Sequence, residues 1–160
     1  MILTRWDELT ELERRTLQVA KRLLGDKEEG GPNLGWLPRF LQRWGGIAAG
    51  SPWCVLFALW CIHRAGSELR PRHVVLVPRL ASSSGLYRWY RAKGYLLSGP
   101  RLGCVGMVRG GRTGHSHTFL VHTVAMRDRK LQVLGIEGNW RNQVAWNWRD
   151  AATCDYGPIV

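Results

Sequence analysis

The sequence has few cysteines and no long apolar run. Four cysteines among 160 residues, none of them in a C-x-x-C pair, are too few for a disulfide scaffold and form no zinc-ribbon or thioredoxin motif. The longest apolar run, residues 52–62, spans eleven residues, well short of the ~20 that a transmembrane helix needs. We therefore expect no membrane span and treat each cysteine separately.

Acidic residues are scarce in the C-terminal part. Residues 1–50 hold eight Lys or Arg and seven Asp or Glu, whereas residues 51–160 hold fifteen Lys or Arg and five Asp or Glu. Most of the net charge of +11 therefore lies in residues 51–160. A cationic surface of this kind attracts polyanions such as nucleic acid, anionic lipid or the anionic polymers of a bacterial wall. A basic surface that only keeps the protein soluble fits equally well.

Length and composition indicate one globular domain. The chain has 160 residues, of which 45% are hydrophobic, enough for a single core. We expect a helical lead-in over residues 1–50, two further helices over 51–100 and a sheet over 101–160. The N-terminus becomes charged before an apolar signal segment forms, so we expect synthesis in the cytoplasm without a signal peptide. We also expect a monomer.

Hydrophobic periodicity, helix-breaking glycines and capping residues together predict four helices. Their ranges are residues 4–24, 36–44, 52–65 and 82–93. The first carries acids early and bases late, which suits the helix dipole. The third is apolar on nearly all sides, so we expect it to be the buried central helix. Ser51 has the residue type of its N-cap, and Pro52 fits the first helical position.

The chain becomes β-prone after Pro100. Short apolar segments are separated by glycine-rich or charged turns, and they cover residues 103–108, 116–124, 130–136 and 143–148. Helices followed by a run of strands predict an α+β domain with N-terminal helices packed on an antiparallel sheet.

Cys54 is the first candidate for chemistry because it lies in the first turn of the third predicted helix. With Ser51 as N-cap, free N–H groups and the helix dipole would stabilise its thiolate and activate it as a nucleophile. The alternative is the usual role of cysteine as a small buried side chain. Cys61 lies beyond the first turn and is assigned to the core. Cys104 and Cys154 have no nearby base, so we expect them to be structural.

A thiolate nucleophile needs a base, and histidines cluster in the second predicted strand. His117 shares one face of that strand with Phe119, whereas His122 points to the other face. His115, two residues earlier, stays open as an alternative base. A zinc site built from these three histidines ranks lower, because His122 faces away and no fourth ligand has suitable spacing. We expect no metal.

Glu137 is the candidate acid that orients the base. It follows the apolar segment 131–136, where an unneeded charge would be costly. A carboxylate beside a histidine fixes its tautomer and stabilises the imidazolium. Asn139, two residues further on, would lie on the same side and could hydrogen-bond the histidine or the substrate. Taken alone, an ordinary polar turn around Gly138 is the better explanation of both residues.

Nine tryptophans are present, and two of them are candidates for substrate contact. Trp53 precedes Cys54, and Trp140 follows the Glu137 segment, so both would lie near the site. An aromatic surface there could stack on sugar or peptide. For any single ring, core packing is the better explanation, because large aromatic side chains usually supply buried area first.

These pieces occur in the order of a known family. Pro52-Trp53-Cys54-x-x-Phe57, His117-Thr-x-x-Val121 and Ile136-Glu137-Gly138-Asn139 together resemble the CHAP and NlpC/P60 group of papain-like cysteine peptidases and amidases. The resemblance covers about residues 17–145. It implies a papain-like fold without a cofactor, with Cys54 as nucleophile, His117 as base, Glu137 as third member and Asn139 assisting.

The resemblance also implies a substrate. Members act on peptidoglycan, at the bond between N-acetylmuramic acid and L-alanine or within the stem or cross-bridge peptides. A small basic enzyme of this kind is typical of a phage lysin or an interbacterial toxin, acting at the wall or in the periplasm after lysis or delivery, with an immunity or delivery protein as a possible partner. The alternatives are an inactive scaffold of the same fold and a nucleic-acid-binding module. No nucleic-acid motif is visible, so we expect no such partner.

Overall fold

A computed structural model describes residues 5–69 and 73–160. Within these ranges the chain forms four α-helices and five strands: α1 (Glu11–Lys21), α2 (Trp36–Gly45), α3 (Cys54–Glu68), α4 (Ser83–Lys93), β1 (Cys104–Arg109), β2 (His115–Arg127), β3 (Lys130–Trp140), β4 (Gln143–Asp150) and β5 (Cys154–Pro158). The strands form one antiparallel sheet in the order β4-β3-β2-β1-β5. The predicted α+β class with an antiparallel sheet is confirmed.

The first helix is shorter than predicted because Thr10 caps it. The Thr10 hydroxyl accepts a hydrogen bond from the Glu13 backbone N–H at 3.2 Å, and the Glu13 carboxylate accepts one from the Thr10 N–H at 2.8 Å. This reciprocal pair is a capping box, which fixes the start of α1. The predicted start at Thr4 lies outside the described residues, and the helix ends at Lys21 instead of residue 24.

The buried central helix is α3, as predicted, but it begins later than predicted. Its N-cap is Trp53, so Cys54 is its first residue and Ser51 is not the cap. The Ser51 carbonyl instead accepts a hydrogen bond from the Gln42 side-chain amide at 2.7 Å. Cys54 still lies in the first turn, where backbone N–H groups have no intrahelical acceptor. Across the described residues, no helix is long and apolar enough to cross a membrane.

The sheet exceeds the prediction by one strand. The four predicted strands correspond to β1–β4, and β3 extends through Glu137 to Trp140. The added strand, β5, contains Gly157 and Pro158, residue types that indicate a turn. It is an edge strand paired with β1, and an edge position tolerates the missing N–H of proline.

The two faces of the sheet contribute to different apolar clusters. The helices pack against Val105, Met107 and Leu120, whereas Phe119 belongs to a second cluster with residues of β1, β3 and β5. Gly106 leaves room for the Phe119 ring, since a Cβ there would lie 2.2 Å from Cζ of Phe119. The face of β2 that carries Phe119 is therefore turned away from the helices. His117 lies on the same face, but at the beginning of the strand, where it reaches Cys54 at the start of α3.

Candidate active site

Cys54 lies where the first turn of α3 meets the beginning of β2. Its side chain is largely buried, with 7% exposed. Burial raises the pKa of the Cys54 thiol, but hydrogen bonding and charge from His117, with the backbone N–H groups of Thr118 and Val55, outweigh burial and lower the pKa overall. A lowered thiol pKa favours the thiolate, which is the nucleophilic form.

The other three cysteines have the opposite electrostatic setting. Burial raises the pKa of Cys61 well above the usual value, raises that of Cys104 to about 12, and raises that of Cys154. All four cysteines lie in the described part of the chain and are free. Cys54 is thus the cysteine whose surroundings favour the thiolate.

His117 stands between the thiol and a carboxylate. Its Nε2 atom lies 2.8 Å from Oε2 of Glu137, so Nδ1 is the nitrogen left for Cys54. Burial lowers the pKa of His117, but hydrogen bonding and charge from Cys54 and Glu137 outweigh it and raise the pKa to about 9. A histidine with a raised pKa beside a thiol with a lowered pKa favours a thiolate–imidazolium pair, and the two groups then titrate as a coupled pair.

Glu137 is completely buried, with 0% exposed, and has two cationic partners. Besides His117, Arg149 of β4 donates from Nε to Oε1 at 2.9 Å and from a terminal nitrogen to Oε2. Burial raises the pKa of Glu137, whereas hydrogen bonds and charge from both partners lower it overall. The carboxylate therefore stays ionised inside the protein and orients the imidazole.

Arg149 is a residue of the site that sequence reasoning missed. Residues 145, 147 and 149 of β4 lie on the sheet face that carries Glu137, because Ala145 pairs with Glu137 in the antiparallel register. Side chains alternate between the two faces of a sheet, and this alternation in the β3–β4 hairpin was the signal that could have identified Arg149. Its register was not evident from the sequence.

Asn139 contacts the lead-in segment instead of the catalytic histidine. Its side-chain amide donates to Oδ1 of Asn33 at 2.9 Å, and no hydrogen bond to His117 occurs among the described residues. The backbone N–H of Asn33 in turn donates to Glu28 at 2.8 Å. Asn139 thus joins β3 to the segment before α2. Its predicted assistance to the base is not supported by a direct contact with His117.

Trp53 is fully buried, so the predicted substrate contact of this residue is wrong. Its side chain is 0% exposed, and its indole N–H donates to Oε1 of Glu28 at 2.9 Å. The ring packs edge-on against Phe57 and lies close over Gly138, where an added Cβ would lie 2.8 Å from the ring. Trp53 supports the backbone that leads into Cys54.

Trp140 lies at the site, where the sequence placed it. The ring is half-buried and meets the His117 imidazole edge-on, with centroids 6.1 Å apart. The Arg149 guanidinium lies 4.8 Å from its centroid. Trp140 forms a wall beside the base, and its contact with substrate stays a prediction.

His115, the alternative base, belongs to a separate cluster. Its Nε2 atom lies 2.8 Å from Oδ2 of Asp155 on β5, and its ring stacks on Tyr87 with centroids 4.2 Å apart. Arg109 grips the same carboxylate through two hydrogen bonds of 3.0 and 2.8 Å. His117 is therefore the histidine that faces Cys54.

The three histidines of the zinc alternative do not converge. His122 lies between the rings of Trp6 and Trp146, with centroids 5.6 and 4.8 Å away. Burial, with a smaller effect of the Lys21 charge, lowers the pKa of His122 to about 4. In residues 5–69 and 73–160 no group of three or more His, Cys, Asp or Glu side chains could hold a metal ion.

No family model matches this sequence, and neither a curated protein nor a solved structure matches the chain. Function must therefore be inferred from the site itself. That site places a thiol, an imidazole and a carboxylate in succession.

Proposed function

We propose that this chain is a papain-like cysteine hydrolase that cleaves an amide bond of bacterial peptidoglycan. The observation that carries the proposal is the succession of Cys54, His117 and Glu137. The cysteine with the lowered pKa begins a buried helix, an imidazole faces it, and a buried carboxylate lies 2.8 Å from the imidazole Nε2. These are the roles of nucleophile, general base and orienting acid.

The chemistry begins when Cys54 Sγ attacks the carbonyl carbon of the amide. A C–S bond forms, and the negative charge moves to the carbonyl oxygen. The backbone N–H of Cys54 has no intrahelical acceptor because Cys54 begins α3. It is therefore available to stabilise the oxyanion together with one further donor.

The second half of the reaction uses His117 as acid and then as base. The imidazolium gives its proton to the leaving amine as the C–N bond breaks and a thioester forms. Neutral His117 then takes a proton from water, which attacks the thioester and releases the carboxylic acid and Cys54. Glu137 holds Nε2 throughout, so Nδ1 carries the proton in both steps.

Two observations support peptidoglycan as the substrate class. The order of site residues resembles the CHAP and NlpC/P60 enzymes, and the net charge of +11 favours binding to an anionic wall. Two bonds are candidates: the amide between N-acetylmuramic acid and L-alanine, and a peptide bond in the stem or cross-bridge. We propose a phage lysin or an interbacterial toxin as the setting.

The test is digestion of purified peptidoglycan by the wild type and by Cys54→Ala, with soluble fragments identified by mass spectrometry. Intact stem peptides released from bare glycan strands would identify an amidase, whereas shortened stems or un-crosslinked muropeptides would identify an endopeptidase. We expect either product from the wild type and none from Cys54→Ala. Equal release by both proteins, or no release from walls of several chemotypes, would overturn the proposal.

A further inference from the structure

We propose that Arg149 is a positioning residue: it keeps Glu137 ionised and directed at His117, and through them keeps Cys54 a thiolate. The inference rests on the proposed chemistry of Cys54 but not on the identity of the substrate. Arg149 touches neither the thiol nor the reacting carbonyl in this scheme, so it acts through Glu137.

The contact between Arg149 and Glu137 uses both carboxylate oxygens. Nε donates to Oε1 at 2.9 Å, and a terminal nitrogen donates to Oε2. Oε2 is also the oxygen that lies 2.8 Å from His117 Nε2. Because the planar guanidinium engages both oxygens, it fixes the orientation of the carboxylate as well as its charge.

Arg149 is itself held in place by two aromatic rings. Its guanidinium lies 5.3 Å from the Phe119 centroid and 4.8 Å from that of Trp140. Its side chain is 13% exposed, so little solvent competes for the guanidinium. Trp140 also contacts the His117 ring edge-on. The arginine is therefore part of the same packed unit as the base and its carboxylate.

Four groups of alternating charge follow one another through this unit: the Cys54 thiolate, the His117 imidazolium, the Glu137 carboxylate and the Arg149 guanidinium. Their charges sum to zero. Without the guanidinium the unit would carry one uncompensated negative charge at a buried site, which is costly. Protonation of Cys54 or of Glu137 relieves that cost, and either event lowers the fraction of Cys54 that is present as thiolate.

The chain offers a matched control in its second cluster. Arg109 grips Asp155 with the same two-point geometry, and Asp155 pairs with His115 at 2.8 Å. No cysteine is among the hydrogen-bond partners of the His115 ring in the described part of the chain. Arg109→Met therefore removes a two-point guanidinium contact, one that is more exposed than that of Arg149, from a histidine–carboxylate pair that has no cysteine partner among the described residues.

The experiment measures alkylation of Cys54 by iodoacetamide as a function of pH. Wild type, Arg149→Met, Arg149→Lys and Arg109→Met are compared, and the labelled peptide is mapped by mass spectrometry. The acid limb is the pH range over which the alkylation rate of Cys54 rises to its plateau, and its midpoint is the pH of half-maximal rate. We expect this midpoint to rise by about one pH unit or more in Arg149→Met. A smaller rise is expected in Arg149→Lys, which keeps the charge but loses the planar two-point contact with the carboxylate. No rise is expected in Arg109→Met.

The readout needs no peptidoglycan, so the two proposals can fail separately. An unchanged acid limb in a folded Arg149→Met would overturn the positioning role, as would an equal shift in Arg109→Met. If Arg149→Met does not fold, Arg149→Lys decides, and a limb identical to that of the wild type overturns the role. A shifted limb in a protein that digests no wall would support Arg149 while contradicting the proposed function.

Discussion

His115 and His117 lie two residues apart on β2 yet pair with carboxylates on different strands, Asp155 of β5 and Glu137 of β3. Both carboxylates are also gripped by an arginine. A histidine–carboxylate–arginine unit therefore occurs twice in the described part of the chain. What distinguishes the two units is the first turn of α3, which brings Cys54 to His117.

Loss of His117 is expected to stop hydrolysis, whereas loss of His115 is not. His117→Ala removes both the base and the cation that stabilises the Cys54 thiolate, so the rate should fall at least about a thousand-fold. His115→Ala leaves Asp155 without its histidine and should lower the melting temperature while keeping the rate within a few-fold. Initial rates of fragment release and thermal melts of both variants check this. The reverse order of rates would assign the base to His115.

Hydrolysis should depend on pH with two limbs. The lowered pKa of Cys54 keeps the thiolate present below the usual thiol range, so the acid limb should lie well below about pH 8.5. Above about pH 9 the His117 imidazolium is lost, and with it the proton for the leaving amine. Measured kcat/KM should therefore decline at high pH while Cys54 alkylation does not. A hydrolysis rate that keeps rising through this range would contradict the ion pair.

Replacing Glu137 by glutamine tests the orienting role. The amide removes the negative charge that raises the pKa of His117, so the basic limb should move to lower pH. The rate should fall by about a hundred- to ten-thousand-fold, as expected when the wrong tautomer is favoured. Asp155→Asn is the matched control and should change neither quantity. A Glu137→Gln enzyme with the wild-type profile would remove Glu137 from the mechanism.

The two tryptophans near the site should respond differently to substitution. Trp53→Phe removes the indole donor to Glu28 and leaves a part-buried carboxylate oxygen without its partner, so it should cost about 1–3 kcal/mol of unfolding free energy. Its KM should stay near that of the wild type. Trp140→Ala should raise KM, because the ring forms a wall beside His117. Denaturant unfolding and steady-state kinetics separate the effects, and a raised KM confined to Trp53→Phe would reverse the assignment.

Digestion of peptidoglycan should weaken as salt rises. The cationic surface is proposed to hold the enzyme on an anionic wall, and salt screens that attraction. Cys54 alkylation measured in the same buffers serves as control and should stay constant, because the buried ion pair is little affected by screening. Salt-independent digestion would show that the charge has another purpose.

Elements governed by neighbouring residues were predictable from the sequence. Ser82 caps α4 by accepting from the Gly85 N–H at 3.1 Å, and Gly94 ends that helix in the left-handed region at φ 67°. The apolar composition of α3 likewise predicted its burial. Residue type and local order thus placed the helices and the sheet of the site.

Features that depend on distant partners could not be predicted. Glu28 and Trp53 are hydrogen-bonded although they lie 25 residues apart in the sequence, and no local sequence pattern predicts that contact. β5 was missed because its glycine and proline favour turns, and without β5 the pairing of His115 with Asp155 is invisible. The start of α3 was misplaced because Ser51 has the residue type of an N-cap. In the structure Ser51 lies before the helix, and its carbonyl accepts a hydrogen bond from the Gln42 side chain.

The most direct test of the central claim links the reactive thiol to the reaction. The protein is treated with one equivalent of iodoacetamide near pH 6, the label is mapped, and the remaining digestion of peptidoglycan is measured. The ion pair predicts that the label falls on Cys54, since burial raises the pKa of the other three cysteines, and that digestion falls in proportion to the label. Label spread over Cys61, Cys104 and Cys154, or full digestion by protein labelled at Cys54, would contradict it.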